Sequence, residues 1–234
     1  MVDMHTIGAG GGSIAYVDQG GMLQVGPRSA GADPGPACYD LGGHHATVTD
    51  ANLVLGRLVP GARLAGGLEL SVAKARNAVG ALAQVIALSV EETAAGIISI
   101  ANEHMARAIR EISVNRGYDP TDFVLASFGG AGGLHVCALA EAMRMHQALV
   151  PARGGVLSAL GMLMASRGRQ LTRTLGVAID GIEISALQAA MEDLENRATE
   201  ELTAEGESIG ELVCKRSIDL RYKGQSYTLN VPWQ

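Results

Sequence analysis

The stretch that most limits how this chain folds is Ser127-Phe128-Gly129-Gly130-Ala131-Gly132-Gly133-Leu134-His135. Ahead of it, Asp122-Phe123-Val124-Leu125-Ala126 is a short apolar run with the character of a buried strand. After it, Leu134 to Met143 has helical spacing. Glycines at this junction let backbone approach a ligand where any Cβ would collide. The first N–H groups of the following helix would face that ligand with a partial positive charge. The turn therefore suits a phosphate, another anion, or the flat face of a nucleotide. The alternative is a tight strand-to-helix corner whose glycines serve packing alone. It has neither the Lys-Ser/Thr ending of a P-loop nor the G-x-G-x-x-G spacing with a following acidic strand end.

The next segment, Gln147-Ala148-Leu149-Val150-Pro151, reads as a second strand close behind that helix. Strand, helix and strand in this order imply a parallel crossover, and so an α/β fold. The 90–115 helix is expected to cover it. Gly154-Gly155 then turns into an apolar helix through Met164. A ligand at the carboxyl end of one strand would have this second turn beside it.

A similar concentration of glycine opens the chain. Gly8-Ala9-Gly10-Gly11-Gly12-Ser13 precedes strand-like Ile14 to Asp18, and Gly20-Gly21 turns into Met22 to Val25. This reads as a loop and a hairpin. Successive backbone N–H groups at Gly8, Gly10, Gly11 and Gly12, with the Ser13 hydroxyl, form a candidate anion or substrate loop. The competing explanation is a crowded turn beneath another element. Gly26 to Tyr39 holds three prolines and three glycines, which excludes a helix or central strand. Its charges are Arg28, a candidate clamp for a carboxylate or phosphate, and Asp33, with which Arg28 alternatively pairs.

His44 and His45 are adjacent and point different ways, so a shared metal is not expected. Thr47 to Gly56 reads as a strand end passing into a short helix capped by Thr49 or Asp50. Asp50 is first a cap; a catalytic or metal role is the sharper alternative. Ser71 to Leu88 is an alanine-rich helix, and Val90 to Asn115 is the clearest helix of all. Ser89 and Glu92 form a capping box, and Gly117 provides the stop. Leu171 to Ile179 is expected to be a strand. Ser185 to Gly206 is an amphipathic helix with an acidic face, followed by strands at 213–222 and 227–231.

Aromatic residues make up only 3% of the chain, so Ala, Val, Leu, Ile and Met must build the core. The formal net charge is −6, and no basic run with interleaved aromatics occurs, which argues against nucleic-acid binding. Three widely spaced cysteines form neither a disulfide framework nor a zinc pattern and fit a reducing cytoplasm. No apolar run is long enough to span a bilayer and no signal peptide is evident, so no membrane role is expected.

Five motifs, taken together and in order, resemble the hydantoinase A/oxoprolinase family. They are Thr6 to Ala15, Val25 to Gly31, Pro34 to Tyr39, Thr47 to Arg57, and Phe128 to Gly132. The resemblance implies an incomplete actin-like/Hsp70-like (ribonuclease H-like) ATPase fold, with helices on a mixed sheet. Its core would cover 1–180, and 181–234 would begin a C-terminal α+β region. It also implies an ATP-dependent hydrolase that activates a five-membered cyclic amide by phosphorylation, as in 5-oxoprolinase or N-methylhydantoinase. Alternatives are a subunit of an acetone- or acetophenone-type carboxylase, or a catalytically silent assembly module. Gly129, Gly130, Ala131, Gly132 and Gly133 would hold the adenosine part of ATP, and Gly8 to Ser13 would lie near the interdomain cleft. Asp3, His5 and Asp50 are the candidate catalytic groups.

The family's Asp-x-Gly-Gly-Thr phosphate loops are not found; Asp40-Leu41-Gly42-Gly43-His44 comes nearest and has no Thr. The chain is therefore expected to be the central-to-late portion of a larger oligomeric protein that has a hydantoinase B-type partner subunit. The main ligands of a divalent cation, Mg²⁺ with ATP, are expected outside this chain, which alone would be inactive.

Overall fold

The computed structural model describes residues 5–61, 64–225 and 227–233. The chain divides into two compact units, Met1–Leu163 and Met164–Gln234. Asp3 lies outside the described residues.

The first unit opens with an antiparallel hairpin of β1 (Ser13–Val17) and β2 (Leu23–Ser29), with a bulge between Ser13 and Ala15. Gly26, Pro27 and Arg28 belong to β2, so the irregular segment begins later than its prolines suggest. Proline is tolerated there because, among the described residues, β2 has β1 as its only neighbour in a two-stranded sheet.

Three helices follow: α1 (Val48–Val54), α2 (Val72–Ile86) and α3 (Val90–Ile112). Each begins at a side chain that accepts from an orphan N–H. Ser71 Oγ accepts from Lys74 N, and Ser89 Oγ from Glu92 N. The α1 cap is Thr47 rather than Thr49 or Asp50. Asp50 is the third helical residue, where its carboxylate reaches back to the Thr47 N–H at 2.9 Å and completes a capping box. Alanines at 51, 78, 94 and 101 let the helices approach closely around Val79, Ile97 and Ile98, all in one core with Val25 of the hairpin. Burying each isoleucine side chain contributes about 1.5–3 kcal/mol.

The second half of α3 serves another cluster. Ala106 packs with Leu139 and Met143, and Met105, Ile109 and Leu125 pack against them. These residues join α3 to β3 (Leu125–Ala126), α4 (Val136–Ala142) and β4 (Ala148–Leu149). β3 and β4 pair in parallel, Leu125 opposite Ala148 and Ala126 opposite Leu149, as the strand, turn, helix, strand order requires. The expected strand over 122–126 is shorter because Asp119 caps a 3-10 turn at Pro120–Asp122. Helix α4 also starts later, at Val136, behind a 3-10 turn over Gly132–Leu134. α5 (Leu157–Met164) closes the unit, all but its last residue lying within it.

The second unit holds α6 (Ile184–Ala204) and an antiparallel pair, β5 (Arg216–Leu220) and β6 (Leu229–Trp233). No strand forms over 171–179. Strand-like composition does not suffice where no neighbour takes the backbone hydrogen bonds. The described strands form three separate two-stranded sheets rather than one mixed sheet. Helices and sheet pairs together make the chain α/β in content.

Candidate functional site

The two glycine loops meet. A cleft of about 290 Å³ opens at the end of β3. Gly10 and Gly11 line it from the first loop, Ala131 and Gly132 from the second, Met105 from α3, and His135 and Leu139 from the α4 side. A Cβ on Gly11 would stand 3.9 Å from the Ala131 Cβ, so the loops are in van der Waals reach.

Each loop is held by its own bonds. The Gly11 carbonyl accepts from both the Thr49 N–H and the Thr49 hydroxyl at 2.9 Å, which ties the loop to the start of α1. The Ser13 hydroxyl accepts from Gly10 N at 2.9 Å and donates to the Gly8 carbonyl at 3.3 Å. Ser13 thus closes the loop on itself and is not the outward donor its position suggests. In the second loop, Gly129 has φ +91°, and its N–H donates to the Gly154 carbonyl at 2.8 Å, which brings the Gly154 turn alongside as its order implies. Gly132 leaves room for Ser127, whose Oγ would be 2.5 Å from an added Cβ. Among the described residues the N–H groups of Gly11, Gly130 and Ala131 donate to nothing. Gly11 and Ala131 line the small apolar cleft, and their two backbone donors can receive a polar ligand.

His135 is the residue the sequence pattern passed over. It ends the glycine stretch and is 2% exposed, with Nδ1 2.7 Å from the Asn102 Oδ1 of α3. Burial first, and then the charge of Arg57, hold the imidazole below its ordinary value, so it is neutral near pH 7. Asn102 was legible as a polar residue on the apolar face of α3, four positions after Ile98 and three before Met105.

The other candidates lie elsewhere. Asp50 is fully buried, and its carboxylate accepts from Ala37 N, Cys38 N, Thr47 N and the Thr47 hydroxyl at 2.7–3.3 Å. Asp50 therefore serves as a buried structural knot at the start of α1, the capping role among its two expected ones. Burial and the Asp50 charge also push the Cys38 thiol up, leaving it unreactive. His5 is exposed and lies 3.6 Å from Glu111. Arg28 forms no pair with Asp33; it lines a second cleft of about 460 Å³ with Tyr16, His44 and His45. Among the described residues no group of three His, Cys, Asp or Glu side chains is placed to hold a metal. No single described helix is long and apolar enough to cross a membrane.

The family model described as hydantoinase/oxoprolinase matches residues 1–170. Caprolactamase subunit alpha of Pseudomonas jessenii is 43% identical over 236 residues, covering 99% of this chain and 34% of that protein. The crystal structure of the ATP-dependent caprolactamase from the same organism superposes with a TM-score of 0.72 at 41% identity, over 100% of this chain and 34% of that one. The nucleotide-free structure of acetone carboxylase, described in work on ATP-dependent acetone carboxylation, gives 0.69 at 29% identity, over 96% and 33%. The chain thus spans about a third of the length of these relatives.

Proposed function

The chain belongs to the hydantoinase/oxoprolinase family, and we propose that it forms the nucleoside-holding part of an ATP-dependent enzyme that opens a cyclic amide. The observation that carries this reading is the convergence of Gly10–Gly11 and Ala131–Gly132 on one cleft with free backbone donors. Its volume is near the lower end for ligand cavities, roughly 300 Å³, which suits a nucleoside and not a whole triphosphate. The fold we assign is the actin-like/Hsp70-like one.

An amide resists hydrolysis because its resonance must be broken. ATP, when bound, supplies a phosphoryl group that turns the amide oxygen into a leaving group. The residues of this chain hold and orient: glycine backbone receives the nucleoside, and Leu125, Met105 and Leu139 exclude water from it. The phosphate-binding Asp-x-Gly-Gly-Thr pattern is missing from these 234 residues. We therefore assign the phosphates, Mg²⁺ and the ring substrate mainly to other parts of the enzyme, including a hydantoinase B-type partner. The identity of 41% with the caprolactamase against 29% with the carboxylase favours amide opening over carboxylation. We place the enzyme in the cytoplasm.

Calorimetric titration of the chain with adenosine and with MgATP tests the reading. Saturable binding of both with similar affinity is expected, because the contacts made here are to the nucleoside. No binding of either would overturn it. ATP turnover by the chain alone is expected to be negligible; a rate near about one per second, ordinary for an enzyme, would show that the phosphate machinery is present after all.

A further inference from the structure

His135 is buried, yet its Nε2 has no hydrogen-bond partner among the described residues. The other such atom, Asn52 Oδ1, does not line the cleft, whereas His135 does. Asn102 Oδ1, at 2.7 Å from Nδ1, accepts, so Nδ1 carries the proton and Nε2 presents a lone pair. Among the described residues lining the cleft, only Ser127 and His135 have polar side chains. Buried polar atoms are rarely left unpaired, and those that are commonly face a ligand or an ordered water.

We propose that His135 Nε2 selects the ligand of this cleft by accepting a hydrogen bond from an N–H or O–H donor at its inner end, with Asn102 as the positioning residue that fixes the tautomer. This rests on the nucleoside reading above, under which the donor is the exocyclic amine of adenine or a ribose hydroxyl. Backbone N–H groups at Gly11 and Ala131, both lining the cleft, only donate, so they complement acceptors on the same ligand. The imidazole supplies the opposite polarity. Such a site discriminates sharply against an analogue without the donor, because the acceptor then stays unpaired.

The test compares adenosine, purine riboside without the 6-amino group, and 2′- and 3′-deoxyadenosine by calorimetry on the wild-type chain, His135→Asn and His135→Gln. Asparagine retains an amide near Nδ1 for Asn102 and removes the Nε2 acceptor; glutamine restores an acceptor near Nε2. One analogue is expected to bind wild type about tenfold to a hundredfold more weakly than adenosine. His135→Asn should bring adenosine down to that level, and His135→Gln should restore part of the difference. A loss confined to purine riboside names the amine as the donor; a loss confined to a deoxynucleoside names the hydroxyl. If every analogue binds like adenosine, or if folded His135→Asn keeps the full discrimination, the inference falls while the nucleoside reading stands. If wild type binds no nucleoside, both fall. Nitrogen-15 NMR gives a readout independent of the variants' folding: an unprotonated Nε2 that shifts when adenosine binds is expected, and a protonated Nε2 would overturn the proposal.

Discussion

Replacing Gly130 with alanine separates a ligand contact from a packing corner. Gly130 has no neighbouring atom within 4 Å of an added Cβ, and its φ lies outside the positive region. The methyl group therefore meets nothing in the folded chain and restricts the unfolded one, which stabilises by about 0.4–1 kcal/mol. At about 2–4 °C per kcal/mol for a chain of this length, the thermal midpoint should rise by about 1–4 °C. Gly129 is the contrast: at φ +91° an L side chain is strained, by about 1–2 kcal/mol, so Gly129→Ala should lower the midpoint by about 2–8 °C. Nucleoside affinity, measured by calorimetry on the same preparations, completes the comparison. Gly130 is outside the cleft lining but adjoins Ala131, which is in it; if the ligand extends over the turn, Gly130→Ala loses at least about tenfold in affinity, or about 1.4 kcal/mol, while gaining stability. A Gly130→Ala chain that is more stable and binds adenosine as well as wild type would refute the close approach.

Asp50→Ala leaves the N–H groups of Ala37, Cys38 and Thr47 without their buried acceptor. At about 1–3 kcal/mol for each unsatisfied group, non-additive in one network, the expected loss is about 3–5 kcal/mol in urea unfolding; a loss below about 1 kcal/mol would mean that the knot is dispensable. Gly43→Ala puts a Cβ 2.2 Å from the Gly35 carbonyl oxygen, a backbone atom that cannot rotate away; a lowered thermal midpoint, from about 1–3 kcal/mol of overpacking, is expected. The His135 pKa is lowered on folding, so as pH falls the unfolded chain takes up this proton first. The stability concerned is present above the unfolded value of about 6.5 and is lost as pH drops below it toward the folded one. The midpoint of wild type should fall more between pH 7 and pH 5 than that of His135→Asn; equal falls would contradict a buried neutral imidazole.

Helices were the most legible part of the fold because their signals are local. The Ser89–Glu92 box and the Ala94, Ile97, Ile98, Ala101 spacing place α3 within a few residues of where it lies. Strands depend on a partner that sequence does not display. Leu171–Ile179 has the composition of a strand and pairs with no strand among the described residues, and the 122–126 run shrinks to two residues once Asp119 and Pro120 turn the chain. Cap identity fails for a related reason. Thr47, Thr49 and Asp50 are each acceptable caps by type, and what separates them is the distant pair of N–H groups at Ala37 and Cys38 that draws the Asp50 carboxylate inward.

The site divides along the same line between local and remote causes. Gly10, Gly11, Ala131 and Gly132 stood out because a run of glycine is a local anomaly. That they share one cleft follows from α3, whose first half packs with the hairpin side and whose second half packs with α4 and β3. His135 and Asn102, 33 positions apart, carry no local anomaly: a histidine after a glycine turn and an asparagine on a long helix are each ordinary. Their meaning appears only when α3 and α4 come together, one ring nitrogen is taken and the other is left buried without a partner in a residue that lines the cleft. A polar residue interrupting the buried face of α3, with a histidine ending the glycine turn, is the pattern that would have pointed to the pair. It becomes diagnostic only once the two helices are known to touch, because a lone polar residue on an apolar face more often bonds its own helix, as Asn52 does with the Val48 carbonyl.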